Sequence, residues 1–586
     1  MNVQTIRAVC TVFSQVYKGE FCLVYKIFND KCKGMCYNIH SRFLKKREVL
    51  TVGKKSKTNM KDHRRSLQDN PDVLMLLKSH HKGLLRIVFS RFGLIALLLV
   101  IQVIGLNLLF VAMEESEWLL LLMGVFIIIM FFYLFKIDMD ATAKLTWLVM
   151  MMLFPLMTSI LLLVTRHRIG YRSMERKLED LNEQSKDMIR QDEKVLNAPE
   201  IVSSGTKAMC QYLNKTGTFP VYANTEVTYF PLGENKYEAM LEELKKAEHF
   251  IFMEYFIIDE GLMWGSILKI LADKAAQGVD VRVMYDGMCE MSTLSGDYPE
   301  RLAEYGIKSK AFSKLQPFIS THYNYRDHRK ILVIDGKVAF NGGVNLADEY
   351  INEIVRFGHW KDTALMLKGE AVESFTRMFL QMWNLTEENV EWGNFMDKKY
   401  PVKSKGYVMP YSDSPMDGYK VGESVYVDIL YSAKKYVHIM TPYLILDNEL
   451  EAALKYAAQR GVDVKLILPG IPDKKSAFSL AKSHYKALIS TGVEVYEYTP
   501  GFVHAKVFVS DDHKAVVGTI NLDYRSLYHH FECATYLYDM ECIPSIEEDF
   551  QQTLAKCSKV TFETIKNEKL SYKIRGSIMK LIAPLL

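Results

Sequence analysis

This 586-residue chain has no paired cysteines to staple it: nine Cys are scattered without paired spacing, four of them (Cys10, Cys22, Cys32, Cys36) near the start. A disulfide framework is not expected, and a reducing compartment fits better. Proline (16) and glycine (32) are too sparse for a collagenous or low-complexity chain, and 49% hydrophobic with 24% charged residues argues against disorder. Residues 1 to 59 contain no uninterrupted signal-peptide core. Their composition differs from the rest, which leaves Met60 open as a start of translation. Net charge is small, at +4, but unevenly spread: residues 1 to 90 hold 18 Lys+Arg against 6 Asp+Glu, or +12, which leaves −8 for the rest. A mildly acidic body argues against nucleic-acid coating. At ~150 residues per domain, three or four domains are expected.

What is present in excess is apolar sequence between Phe92 and Val164. Three uncharged runs stand out, about 93–113, 118–135 and 145–164. Twenty helical residues cover ~30 Å, so each run reads as a transmembrane helix, with Trp118, Tyr133 and Trp147 as interfacial aromatics. Arg166, Arg168, Arg172, Arg176 and Lys177 follow the last run and predict a cytoplasmic body. The basic N-terminal stretch points to the same side, which needs an even number of crossings and leaves three runs unreconciled. The domain reading is therefore 1–90 basic extension, 91–165 transmembrane helices, 166–215 helical linker, 216–400 first α/β domain and 401–586 second α/β domain.

The two α/β domains follow from an internal repeat. "HFIFMEYFII" (249–258), "MWGSILKILADKAAQG" (263–278) and "VDVRVMYDG" (279–287) read as strand, helix and strand. "KYVHIMTPYLI" (435–445), "LEAALKYAAQRG" (450–461) and "VDVKLILPG" (462–470) repeat that order. Duplicated α/β units place equivalent residues around a pseudo-two-fold axis.

Each half ends in the same polar pattern. "HRKILVIDGKVAFNGGVN" contributes His328, Lys330, Asp335 and Asn345, and "HAKVFVSDDHKAVVGTIN" contributes His504, Lys506, Asp511 and Asn521. His-to-Lys, His-to-Asp and His-to-Asn separations are 2, 7 and 17 in both. One H-x-K-x-x-x-x-D is expected roughly 0.2 times by chance, so a single copy is weak and two in phase are not. In a strand the His and Lys project to one face, placing an imidazole beside an ammonium twice. Such pairs suit phosphate chemistry: Lys charges the non-bridging oxygens, Asn donates, and His attacks phosphorus or protonates the leaving oxygen. Two histidines can serve opposite faces of an in-line displacement, and each needs a carboxylate to hold its tautomer.

Both copies, with G-G-x-N and G-T-x-N, resemble the phospholipase D superfamily. "NYRDHRKILVIDG" (324–336), "NLADEY" (345–350), "HWKDTALMLKG" (359–369), "NLDYRS" (521–526) and the terminal "KLIAPLL" look specifically like bacterial cardiolipin synthases. The resemblance covers roughly residues 90 to 586. It implies two pseudo-two-fold-related α/β/α domains with the site at their seam and neither metal nor cofactor. His328 would be the nucleophile and His504 the acid and base. Lys330, Lys506, Asn345 and Asn521 would hold phosphate, while Asp362 and Glu532 would orient the imidazoles. Asp335 and Asp511 belong to the motifs but would fix loops. The implied reaction joins two phosphatidylglycerols into cardiolipin and glycerol, in a multi-pass cell-membrane protein with lipid partners and no nucleic acid. Alternatives are a hydrolytic phospholipase D, transfer to another alcohol, a nucleic-acid phosphodiesterase, which the acidic body and the membrane runs count against, and a non-enzymatic membrane scaffold.

His322, His359, His438, His484, His513, His529 and His530 lie outside the motifs without metal-ligand spacing and are set aside. The tail at 572–586 is expected to pack on the core rather than lie on lipid.

Overall fold

Strand-forming runs rich in Val, Ile, Phe and Tyr build two sheets of the same design. The computed structural model describes residues 70–76, 117–137, 141–166, 172–313, 325–396 and 402–583, with a few isolated positions. Residues 71–586 form a unit separate from residues 1–70.

In the first half the strands are β1 (Thr225–Phe230), β2 (Phe250–Tyr255), β3 (Asp280–Asp286), β4 (Lys308–Phe312), β5 (Arg326–Asp327), β6 (Lys330–Ile334), β7 (Val338–Gly342), β8 (His359–Lys361) and β9 (Ala364–Gly369). In the second they are β10 (Tyr407–Asp413), β11 (Tyr436–Met440), β12 (Asp463–Pro469), β13 (Glu494–Tyr498), β14 (Gly501–Val503), β15 (Val507–Ser510), β16 (Lys514–Gly518), β17 (His530–Tyr538) and β18 (Cys557–Lys559). The first sheet runs β1-β9-β7-β6-β2-β3-β4, and the second runs β10-β17-β16-β15-β11-β12-β13-β18. Position by position the orders coincide, with β18 added at one edge. The internal repeat is therefore a repeat of topology. Two short parallel pairs cross between the halves: β5 with β17, and β14 with β8.

The sheets also share a core. One buried cluster joins Ile331, Val333, Leu365 and Phe375 to Val408, Met409, Val437 and Val516. The expected linker enters it too, since Leu181, Ile201, Met209 and Leu213 are buried there, and Arg377 Nε donates to Ser185 Oγ at 3.0 Å. Residues 172–217 form four helices joined by turns and are part of the packed body.

Of the apolar N-terminal runs, 145–164 departs from its reading. No helix among the described residues is long and apolar enough to cross a membrane. The run at 93–113 lies outside the described residues but for single positions. The helix Glu117–Lys136 runs for 20 residues and carries exposed apolar side chains such as Leu121, Leu122, Ile128 and Phe132. The run 145–164 is not one helix. It breaks at Phe154 into Ala141–Leu153 and Pro155–Arg166, because Pro155 has no N–H to continue the ladder. Thr158 Oγ1 donates to Met150 O at 3.0 Å across the bend, eight residues back, which a straight helix does not allow. Trp147 is not an interfacial aromatic: it is buried with Met130, Leu134 and Leu162 between these helices. Trp118, by contrast, is exposed.

The tail packs on the body through one face only. Helix Leu570–Ile582 lies along helix Lys475–Ile489, and Gly576 is close-packed there: a Cβ on it would stand 2.5 Å from Ser479 O. Its other face leaves Leu570, Ile574, Ile578 and Leu581 exposed at 70, 53, 58 and 43%. Thr146 Oγ1 donates to Leu581 O at 2.7 Å, so this helix meets the apolar helix Ala141–Leu153.

Candidate active site

The two short cross-pairs bring the motifs to one seam. His328 follows β5, and its N–H donates to Phe531 O of β17 at 2.9 Å. His504 follows β14, and its N–H donates to Lys361 O of β8 at 2.7 Å. Both histidines therefore lie in extended connections just before β6 and β15 rather than inside a strand. The i, i+2 relation to Lys330 and Lys506 survives because the connection is extended.

Each imidazole is held by the opposite half. His328 Nδ1 lies 2.9 Å from both oxygens of Glu532, and His504 Nδ1 lies 2.6 Å from Asp362 Oδ2. All four side chains are buried. With Nδ1 engaged, Nε2 is the nitrogen left for chemistry at each ring. Thr519 Oγ1 donates to Glu532 and so fixes the carboxylate that fixes His328. The equivalent first-half position is Gly343, where a Cβ would stand 2.1 Å from Asp362 Oδ1. The G-G-x-N and G-T-x-N variants thus match two differently shaped carboxylate supports.

Lys330 Nζ donates to His328 O at 2.5 Å, and Lys506 Nζ donates to His504 O and stands 2.9 Å from His504 Nδ1. Asn345 is engaged at both ends, accepting from Ile257 N at 3.1 Å and donating to Tyr350 OH at 2.8 Å. Asn521 differs: its Oδ1 is buried without a hydrogen bond. Asp335 and Asp511 stand apart from these groups, past the far ends of β6 and β15, about 16 Å from the motif lysines at ~3.3 Å per strand residue. Asp335 accepts from the N–H groups of Glu248, His249 and Phe250, and Asp511 from those of Lys434, Lys435 and Tyr436. Both adopt positive φ, 54° and 55°, at the turns they close.

Burial dominates the electrostatics. It pushes Lys330 down to about 8 and Lys506 down to about 7. Burial, then Lys330, His530, Lys506 and His504, hold His328 well below the usual imidazole range. Burial and Lys506 push His504 down to about 4, against the pull of Asp362. Burial raises the Asp362 carboxyl, but His504 and Lys506 outweigh it, and the net shift is downward. Burial lifts Glu532 well above the carboxylate range, with Lys330 and Thr519 opposing. Both imidazoles are therefore uncharged near neutrality.

Sequence reasoning set His530 aside, and the structure places it in the site. Its ring centroid is 5.4 Å from that of His328, and Nδ1 is 3.7 Å from Glu532 Oε1. The available signal was its i, i+2 relation to Glu532 in a strand. Tyr350, Trp360 and Phe502 surround His504, with centroids 5.4, 5.5 and 5.9 Å away, and Phe256 lies against His328 at 4.9 Å. His328, His530 and Glu532 bring three ligand atoms within 4.8 Å, the one group among the described residues that could hold a metal ion. Lys330, Arg326 and Arg525 all act on His530 with positive charge. Such surroundings favour an anion over a cation.

Residues 240–383 and 426–554 match the family described as cardiolipin synthase, PLD-like domain. A Streptococcus mutans relative called an uncharacterized protein is 57% identical over 78% of this chain and 99% of its own length. Cardiolipin synthase of Alkalihalophilus pseudofirmus is 34% identical over 76% of this chain and 89% of its own length, and cardiolipin synthase 2 of Bacillus anthracis is 33% identical over 75% and 86%. Among solved structures, phosphatidylserine synthase of Haemophilus influenzae aligns with TM-score 0.49 and 16% identity, covering 65% of this chain and 100% of that one. The chain belongs to the cardiolipin synthases, enzymes with phospholipase D-like domains.

Proposed function

We propose that this chain is a membrane phosphatidyltransferase that condenses two phosphatidylglycerols into cardiolipin and glycerol through a phosphohistidine on His328. The observation that carries the proposal is the reciprocal arrangement at the seam: two buried neutral imidazoles, each held through Nδ1 by a carboxylate of the other half, with a lysine beside each.

In the first step the His328 Nε2 lone pair forms the P–N bond while the P–O bond to the glycerol headgroup breaks, and His504 gives that oxygen a proton. In the second, the headgroup hydroxyl of another phosphatidylglycerol attacks phosphorus, its proton passes to His504, and the P–N bond breaks. A docked phosphodiester anion raises His504 and supplies the condition for protonating it. Lys330, Lys506, Asn345 and Asn521 are the phosphate-holding groups in this scheme, and Glu532 and Asp362 orient the rings. No cofactor is consumed, since a phosphodiester is both broken and formed.

Membrane placement of the chain is part of the same reading. Leu121, Leu122, Ile128, Ile129, Phe132 and Phe135 of helix Glu117–Lys136 are exposed, as is the stripe on Leu570–Ile582. Contiguous apolar surface of this kind marks a partner. We take that partner to be the bilayer, with the body on the cytoplasmic side beside Arg172, Arg176 and Lys177. A lipid surface also concentrates the acceptor alcohol against competing water.

Detergent-purified protein with phosphatidylglycerol tests the activity: cardiolipin and glycerol are expected, whereas phosphatidic acid would make it a hydrolase. His328→Ala should abolish both products without loss of folding, and retained synthesis would remove the nucleophile assignment.

A further inference from the structure

The pseudo-two-fold relation extends to a pair of residues that the catalytic scheme does not use. Because His328 N binds Phe531 O and His504 N binds Lys361 O, Phe531 corresponds to Lys361, Glu532 to Asp362, and His530 to Trp360. Strand register agrees: Arg326 pairs with His530, and Phe502 pairs with Trp360, each two residues before a motif histidine. His530 and Trp360 each sit two residues before the carboxylate that holds the other half's histidine. In extended backbone they share its face.

Both are more than nine-tenths buried, and neither makes its hydrogen bonds. His530 is 8% exposed with neither ring nitrogen hydrogen-bonded, and Trp360 is 6% exposed with Nε1 unpartnered. Leaving a buried donor unpaired is unfavourable, and such groups concentrate where a ligand completes them. Here the unpaired nitrogens occur twice, at equivalent positions, one ring beside each motif histidine. Burial, Arg525, His529, Lys330 and Arg326 keep His530 well below the usual imidazole range, so its neutral ring offers one N–H. Trp360 offers an N–H alone.

We propose that His530 and Trp360 form a pseudo-symmetric pair of anion-binding donors, each giving one hydrogen bond to a non-bridging oxygen of the substrate phosphate. The inference rests on reading the paired histidines as a phosphodiester site and names two further residues that hold the phosphate there. It also gives the halves distinct characters. The donor beside His328 is a small, amphoteric ring, and the donor beside His504 belongs to an aromatic wall with Tyr350 and Phe502.

Isothermal titration of the full chain in detergent with inorganic phosphate tests the pair without requiring turnover. His530→Phe and Trp360→Phe should each weaken phosphate binding roughly tenfold, the worth of one hydrogen bond to a charged group. Both should leave the thermal midpoint near that of the parent. His530→Asn, which keeps an N–H, should stay within about threefold of the parent. Unchanged affinity in His530→Phe would remove that donor, and unchanged affinity in Trp360→Phe would remove the pairing. Loss of zinc binding with unaltered phosphate binding in His530→Phe would make the group a metal site and overturn the proposal. A parent chain that binds no phosphate would defeat the phosphodiester reading as well. Binding by the parent with unaffected variants would defeat this inference alone.

Discussion

Gly343 and Thr519 show how much the chemistry depends on single side chains. Gly343 leaves room for the Asp362 carboxylate, and Gly343→Ala would drive a Cβ to 2.1 Å from Oδ1. The carboxylate must then move off His504. Activity should fall by at least about tenfold, with a stability loss of roughly 1–3 kcal/mol from overpacking, read by turnover and thermal melting. The lysines set the pH response. A lysine lowered by burial is charged only below its own value, so Lys506 loses its charge as pH rises through about 7 and Lys330 through about 8. The kcat/KM for phosphatidylglycerol, whose phosphodiester stays ionised throughout, should therefore decline from pH 6 to pH 9. A profile still rising above pH 8 would contradict phosphate binding by these charges.

At the scale of elements, helix Leu570–Ile582 combines two faces that the sequence pattern alone could not rank. Gly576, Met579 and Ala583 face the body, while Leu570, Ile574, Ile578 and Leu581 face outward. Lys573 and Lys580 lie on one flank of that stripe and Arg575 on the other, the pattern of a helix resting on anionic lipid. Ile574→Asp with Ile578→Asp should leave melting unchanged and activity in mixed micelles intact. Activity on phosphatidylglycerol vesicles should fall by about tenfold or more, since each isoleucine contributes roughly 1.5–3 kcal/mol when buried in an apolar phase. Equal loss in both assays would place the helix in the fold rather than at the lipid.

For the whole molecule, the shared core and the exchanged carboxylates make the halves interdependent. Val408, Met409, Val437 and Val516 pack in one cluster with Ile331, Leu365 and Phe375. Residues 401–586 expressed alone would expose that surface and leave His504 without Asp362. Neither half alone should be active. Calorimetry of the intact chain should show the two sheets unfolding in one transition; two well-separated transitions would refute the shared core.

The repeat, the strand–helix order and the motif residues were all legible in the sequence, because periodicity and identical spacings are local properties and a twofold coincidence is hard to reach by chance. The same holds for Asp362 and Glu532, which the family resemblance supplied, though not for which histidine each one holds. That assignment depends on β5 pairing with β17 and β14 with β8, contacts between residues about 140 to 200 apart in sequence that no local pattern encodes. For His530 the sequence offered only its i, i+2 relation to Glu532, and a lone histidine acquires meaning from the ring beside it. Pro155 was visible throughout, yet hydropathy outweighed it. A run of apolar residues specifies burial or lipid, whereas the missing N–H decides whether that run is one helix or two.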